Sequence, residues 1–176
     1  MMKRFYWIVT FIVLTVATSA AQSSSAEWSP SMAGVGAHGY DWQIGNWSCT
    51  NSMPLSPMSG PSKTTGTVTR TNSGALLYHT TGKNFDSVGY GVYVAKTKTW
   101  LGPVALADGS YGSESTTQTG KTTVWTGPIF YAATGKTMQG RDTYVILSST
   151  KYTDLGEYQS GDGPWKTQYN LTCTKT

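Results

Sequence analysis

Two cysteines, Cys49 and Cys173, carry the clearest chemical signal in the sequence. They stand near opposite ends of its patterned part, too far apart to be the close ligand pair of a structural zinc site. In an oxidising compartment such a pair forms a disulfide. Nucleophilic catalysis has little to work with: His38 and His79 lie outside any local triad pattern, and there is no Gly-x-Ser-x-Gly elbow. His79 shares a face with Ala75 and Leu77, the place of a core or rim side chain, and a lone histidine is thin support for a haem iron. Asp154 and Glu157 fall on opposite faces of a regular strand, so they read as solvated or turn carboxylates rather than a paired acid and base. No metal site and no cofactor are expected. Aromatic residues, by contrast, are dense. Trp100, Trp125 and Trp165, with Tyr90, Tyr93, Tyr131, Tyr144 and Tyr158, can line a ligand cavity, or they can fill a core.

The elements that must position these side chains are short strands. Thr167, Tyr169, Leu171 and Cys173 alternate with Lys166, Gln168, Asn170, Thr172 and Thr174, the period-2 pattern of a half-buried strand. Gly45, Trp47 and Cys49 share one face of Gln43–Thr50, so the first and last strands each carry a cysteine on the inward side. A Cys49–Cys173 bridge would close the sheet there. Residues 40–43 read as strand or as a short helical turn. Pro54, Pro57, Gly60 and Pro61 make Asn51–Lys63 a long loop.

From Thr64 onward strands follow at Gly66–Asn72, Ala75–Thr81, Ser87–Lys96, Thr99–Ala107, Tyr111–Thr119, Thr122–Tyr131, Thr137–Ser148, Lys151–Gln159 and Trp165–Lys175. Turn signals such as Asn72-Ser73-Gly74 and Asp108-Gly109 separate them. Val88, Tyr90, Val92 and Val94 form the apolar face of their strand, with Gly89 and Gly91 behind, and Pro103 marks a bulge or an edge. Regular turn spacing of this kind indicates an all-β antiparallel barrel or sandwich. The sequons at Asn46 and Asn170 put both asparagines on outward faces.

The N-terminus reads as a secretory signal over residues 1–21: Lys3 and Arg4, an apolar run from Trp7 to Ala17, then small residues. The run is short for a membrane span, which needs roughly 20 residues, so no stable membrane insertion is expected after cleavage. Residues 22–39, rich in Ser, Ala and Gly without period, read as a disordered leader, and residues 40–176 as one domain. The location implied is secreted or periplasmic. The formal charge of +4 falls to +2 once Lys3 and Arg4 leave with the signal. With no Lys/Arg run, nucleic acid is not an expected partner.

Gly45-Asn46-Trp47 resembles the Gly-x-Trp opening of lipocalins and other calycins. The whole stretch Tyr40-Asp41-Trp42-Gln43-Ile44-Gly45-Asn46-Trp47-Ser48-Cys49 is similar to the start of a group of uncharacterised bacterial lipocalin-like domains. Val92–Trp100 is similar to that group's mid-domain hairpin, and Tyr169–Lys175 to its closing strand. The resemblance implies an antiparallel calycin-type β-barrel of about 8–10 strands with an interior cavity. It also implies that Trp47 packs across one barrel end; lipocalins commonly place a late-strand arginine over that Trp, a role that here falls to Arg141 or a lysine, or is absent.

Three functions follow as expectations. The first is a barrel binding a small apolar or aromatic ligand, with Tyr90, Trp125, Tyr131 and Tyr144 as wall residues. The second is a structural or protein-interaction domain with a filled interior, and the third an enzyme with a site in the barrel mouth.

Overall fold

The computed structural model describes residues 36–53 and 60–176. The expected signal and residues 22–35 of the expected leader lie outside these. The last four leader residues are part of the folded body: Gly36–His38 is a turn of 3-10 helix, and a second turn follows at Asp41–Gln43. The folded body therefore starts before residue 40. A stretch without periodicity is held here because its backbone carbonyls meet fixed donors. The Trp100 indole donates to the Gly36 carbonyl at 3.2 Å, and Arg70 to the Ala37 carbonyl at 3.1 Å.

Ten strands follow: β1 (Gly45–Asn51), β2 (Lys63–Arg70), β3 (Leu76–Gly82), β4 (Phe85–Val94), β5 (Thr99–Leu106), β6 (Tyr111–Thr116), β7 (Thr122–Tyr131), β8 (Lys136–Ser148), β9 (Lys151–Gln159) and β10 (Lys166–Lys175). Each pairs antiparallel with its sequence neighbours, and β10 pairs back to β1, so the sheet is a closed barrel. That is two strands more than a lipocalin's eight. At the seam Cys49 stands directly opposite Cys173, and the two are joined as a disulfide inside the barrel. Of the expected Asn51–Lys63 loop, Ser52, Met53 and Gly60–Ser62 are described and lie outside any helix or strand; residues 54–59 lie outside the described residues.

Alternation places most inward side chains where the sequence puts them, with informative exceptions. The β9–β10 register slips between Thr167 and Tyr169. Thr167, expected beside Tyr169 on the inward face, is therefore opposite Glu157 on the outer one. On β4 the valine face is outside: Val88, Tyr90 and Val92 are 41%, 45% and 37% exposed. The glycine face is inside, where Gly89 and Gly91 stand opposite Tyr78 and Leu76 of β3.

Volume decides this case. A Cβ on Gly91 would come within 3.2 Å of the Tyr78 ring, so the bare backbone is the face that admits the neighbouring aromatics. The same device recurs: Cβ atoms on Gly102 and Gly156 would strike the rings of Trp125 and Tyr169 at 2.9 Å and 2.2 Å. Pro103 sits within paired β5. The β4–β5 pairing lapses between Gly89↔Val104 and Val92↔Leu101, where proline has no N–H to give.

Gly127 tests how closely the barrel is drawn in. A Cβ there would lie 2.1 Å from the Ser113 carbonyl oxygen, and that obstacle is backbone. Gly127→Ala is expected to lose about 1–3 kcal/mol through forced separation of β6 and β7. In urea unfolding the midpoint should fall with the slope unchanged. An unmoved midpoint would mean that the β6–β7 spacing is free to relax.

The chain from Gly36 to Ile44 crosses and closes one end of the barrel. Tyr40 is fully buried, its ring 5.0 Å from Trp100 and 5.1 Å from Trp125, both edge-on. Trp47 donates its indole N–H to the Gln43 carbonyl at 2.6 Å and packs edge-on against Tyr152 at 4.8 Å. Arg70 pairs with Asp41 and pins the segment to β2. A second apolar cluster, Ile129, Tyr131 and Met138 with Val104 and Tyr158 against it, lies toward the opposite end.

Candidate functional site

Between these two clusters the barrel interior contains carboxyl groups. On β7, β8, β9 and β10 the inward residues form cross-strand rows. One row is Thr123, Tyr144, Asp154, Leu171, and the next is Trp125, Asp142, Gly156, Tyr169. Each row thus carries an aspartate beside tyrosine. A further carboxyl comes from β6. Gly127 and Gly140 present no side chain, and Glu114 lays its carboxyl over Gly140, where a Cβ would meet its Oε1 at 2.7 Å. Glu114, Asp142 and Asp154 therefore gather in one region of the interior. Glu114 is only 9% exposed and Asp154 only 6%.

The electrostatics follow from burial without basic partners. Burial, then the charge and hydrogen bond of Asp142, then the charge of Asp154, push Glu114 up to about 10. Burial raises Asp142 as well, although hydrogen bonds from Tyr169 and Glu114 pull the other way; the Tyr169 hydroxyl donates to Asp142 Oδ1 at 2.7 Å. Asp154 is raised by burial and then by Asp142, with Tyr144 opposing through a hydrogen bond. Burial first, and the carboxyls second, hold the Tyr144 and Tyr169 hydroxyls well above the usual phenol range. Among the described residues, the groups that shift the three carboxyls are one another and tyrosine hydroxyls, with no lysine, arginine or histidine among them. At neutral pH the cluster retains protons, and its tyrosines are donors.

Several polar atoms here are orphaned. Among the described residues Asp154 Oδ1 is buried with no hydrogen-bond partner, as is Thr64 Oγ1 across the barrel, while Trp125 Nε1 and Thr123 Oγ1 are buried with only the Tyr40 hydroxyl near them. A buried polar group left unsatisfied costs about 1–3 kcal/mol. The neighbouring Asp142, Tyr144, Tyr169 and Leu171, inward-facing and walled by strands, nonetheless stay partly accessible to water. The interior around the carboxyls is thus polar and partly accessible. Chemically, such a cluster can store and return a proton, or hold a positive charge once ionised. Two surface depressions, of about 290 Å³ beside Thr116 and Gln118 and about 380 Å³ beside Met138 and Gln159, include none of the three carboxyls.

The sequence-derived residues distribute unevenly. Trp125 and Tyr131 are buried inside the barrel, and Tyr144 is inward beside Asp154. The Tyr131 hydroxyl donates to Gln168 Oε1 at 3.1 Å. Tyr90 is on the outer wall and cannot line the interior. Trp47 lies under a cation, and of the alternatives it is a lysine, Lys175, whose Nζ is 5.2 Å from the ring centre. Arg141 is on the outer face, paired with Glu157 and stacked over Trp165 at 4.2 Å. Facing outward on β8, it cannot reach Trp47.

His79 is an exposed outer residue bonded to Asp86 at 2.9 Å, not a core one. Asp154, which by its sequence is expected to be a solvated or turn carboxylate, is deep inside, together with Glu114 and Asp142, to which no sequence pattern above points. The signal was present: Asp142 shares the face of Tyr144 and Ile146, both expected opposite Arg141. It is masked by the general rule that carboxylates avoid full burial. The chain matches no protein-family model and no curated protein.

Proposed function

We propose that this protein is an exported calycin-like barrel that binds a small molecule with an aromatic or apolar body inside the barrel, between the tyrosines and the carboxyl cluster. The observation that carries this reading is the coincidence of orphaned buried polar atoms with partly accessible inward side chains around Asp142 and Asp154. A core built only for packing would seal such atoms and pair them. The Gly-x-Trp opening, with Trp47 under Lys175 at the closed end, supports the calycin-like reading. The signal segment and the disulfide support export to the periplasm or beyond.

Titration with small fluorescent aromatic probes, following tryptophan emission, tests the binding. Saturable binding is expected. A ligand at 100 times its Kd should add about 2.7 kcal/mol to stability, read as a raised melting temperature. A panel of neutral, cationic and anionic aromatics with no saturable member and no thermal shift would reject the reading.

A second reading, a protein-interaction domain, is favoured by one observation. Val88, Tyr90 and Val92 on β4, Leu101 on β5 and Tyr111 on β6 place large apolar side chains side by side on the outer wall. Concentration-dependent self-association, or pull-down abolished by Tyr90→Ser, would favour it.

A further inference from the structure

The charge balance of the interior narrows the ligand class, and this step rests on the binding role proposed above. Three carboxyl groups face one region, and the groups acting on them are one another and tyrosine hydroxyls, with no basic side chain among them. An anionic ligand would add like charge to a buried acidic site. A bare metal ion is no better served, since among the described residues no group of three carboxyl, histidine or cysteine ligands is arranged to hold one. What is left to satisfy is an acceptor, Asp154 Oδ1, on a side chain more than nine-tenths buried. A second aspartate, Asp142, is on the adjoining strand, one residue row away.

We propose that the barrel takes up a small organic ammonium ion, a primary amine on an aromatic or short apolar body, with its –NH3+ held by Asp154 and Asp142 and its body against Tyr144, Tyr152 and Tyr169. An ammonium group brings three donors and no acceptor, which suits an orphaned carboxylate oxygen with a second carboxylate nearby. Its charge offsets the cost that burial imposes on the ionised acid. The faces of the surrounding tyrosines add cation–π attraction in a desolvated setting.

The proton balance is explicit. In the free protein a carboxyl of the cluster carries a proton. When R–NH3+ enters, that O–H ionises, the carboxylate pairs with the ammonium, and one proton passes to solvent. Affinity therefore rises with pH, by up to about tenfold per unit where a full proton is released, until the free amine itself deprotonates.

Isothermal titration of the mature protein with phenethylamine, 2-phenylethanol and phenylacetate, at pH 6 and pH 8 and in two buffers of different ionisation enthalpy, tests this. The amine is expected to bind at least about tenfold more tightly than the alcohol at pH 8, to release about one proton, and to bind more tightly at pH 8 than at pH 6; phenylacetate should be weakest. Asp154→Asn, checked for folding by circular dichroism, should lose at least about tenfold in amine affinity while keeping alcohol affinity. Equal binding of amine and alcohol, or amine binding without proton release by the wild-type protein, overturns the ammonium assignment and leaves interior binding standing. Failure of all three ligands to bind overturns both. The proton count is taken on the wild-type protein, so the test survives a variant that does not fold.

Discussion

Stability should increase as the pH is lowered from 8 to 5, by up to about 4 kcal/mol for a single retained proton at about 1.4 kcal/mol per unit. Most proteins change little or weaken over that interval. Here Glu114, raised from 4.5 to about 10 by burial and by its carboxyl neighbours, keeps its proton in the folded barrel while the unfolded chain loses it. The folded state then binds more protons than the unfolded one, so stability present below about 4.5 is lost progressively as the pH climbs toward 10. Asp142 and Asp154, shifted in the same direction, act in the same sense.

Urea unfolding at half-unit pH steps measures the slope. Glu114→Gln, which carries no titrating proton, should flatten it and unfold later than the wild type at pH 8. A wild-type midpoint that rises from pH 5 to pH 8 would show that the carboxyls ionise freely in the folded barrel, and would remove the basis for the site described above.

Loss of the disulfide should have the other large effect. The bond joins residues 124 positions apart, so it removes almost the whole domain's closure entropy from the unfolded chain. The chain-entropy relation gives about 5 kcal/mol for a loop of that length. It also sits at the one seam where the barrel closes on itself, across the register pair Cys49↔Cys173 of β1 and β10. The double variant Cys49→Ala, Cys173→Ala is expected to lose about 4–5 kcal/mol in denaturant unfolding, and dithiothreitol should bring the wild-type protein close to it. A loss below about 1 kcal/mol would contradict the entropic account; two alkylatable thiols in freshly purified, unreduced protein would show that the bond does not form.

Much of the fold was legible because its information is local. Strand limits such as Lys151–Gln159 follow from alternation and turn residues within the segment itself. The inward faces of Trp47 and Cys49, and of Tyr169, Leu171 and Cys173, follow in the same way, and together they select the disulfide. The errors occur where alternation is interrupted or where hydrophobicity and volume disagree. One extra residue at the Thr167–Tyr169 bulge turned Thr167 outward. On β4 the more apolar face lost to the bare one, because the Tyr78 ring of β3 needed its space.

The sequence by itself determined an all-β chain of hairpin-linked strands, with a cysteine on the inner side of its first and last strands. Its patterns have a range of a few residues, and these features are decided within that range. Only the tertiary structure decided that the ten strands close into one barrel rather than stack as a sandwich, and that Gly36–Ile44 covers one end. It also set Lys175 rather than Arg141 over Trp47, and drew Glu114, Asp142 and Asp154 from three different strands into one buried region. Those outcomes depend on which side chains fill a shared interior and on how far a carboxyl can reach across glycines on neighbouring strands. They are properties of the closed volume, and no single segment carries them.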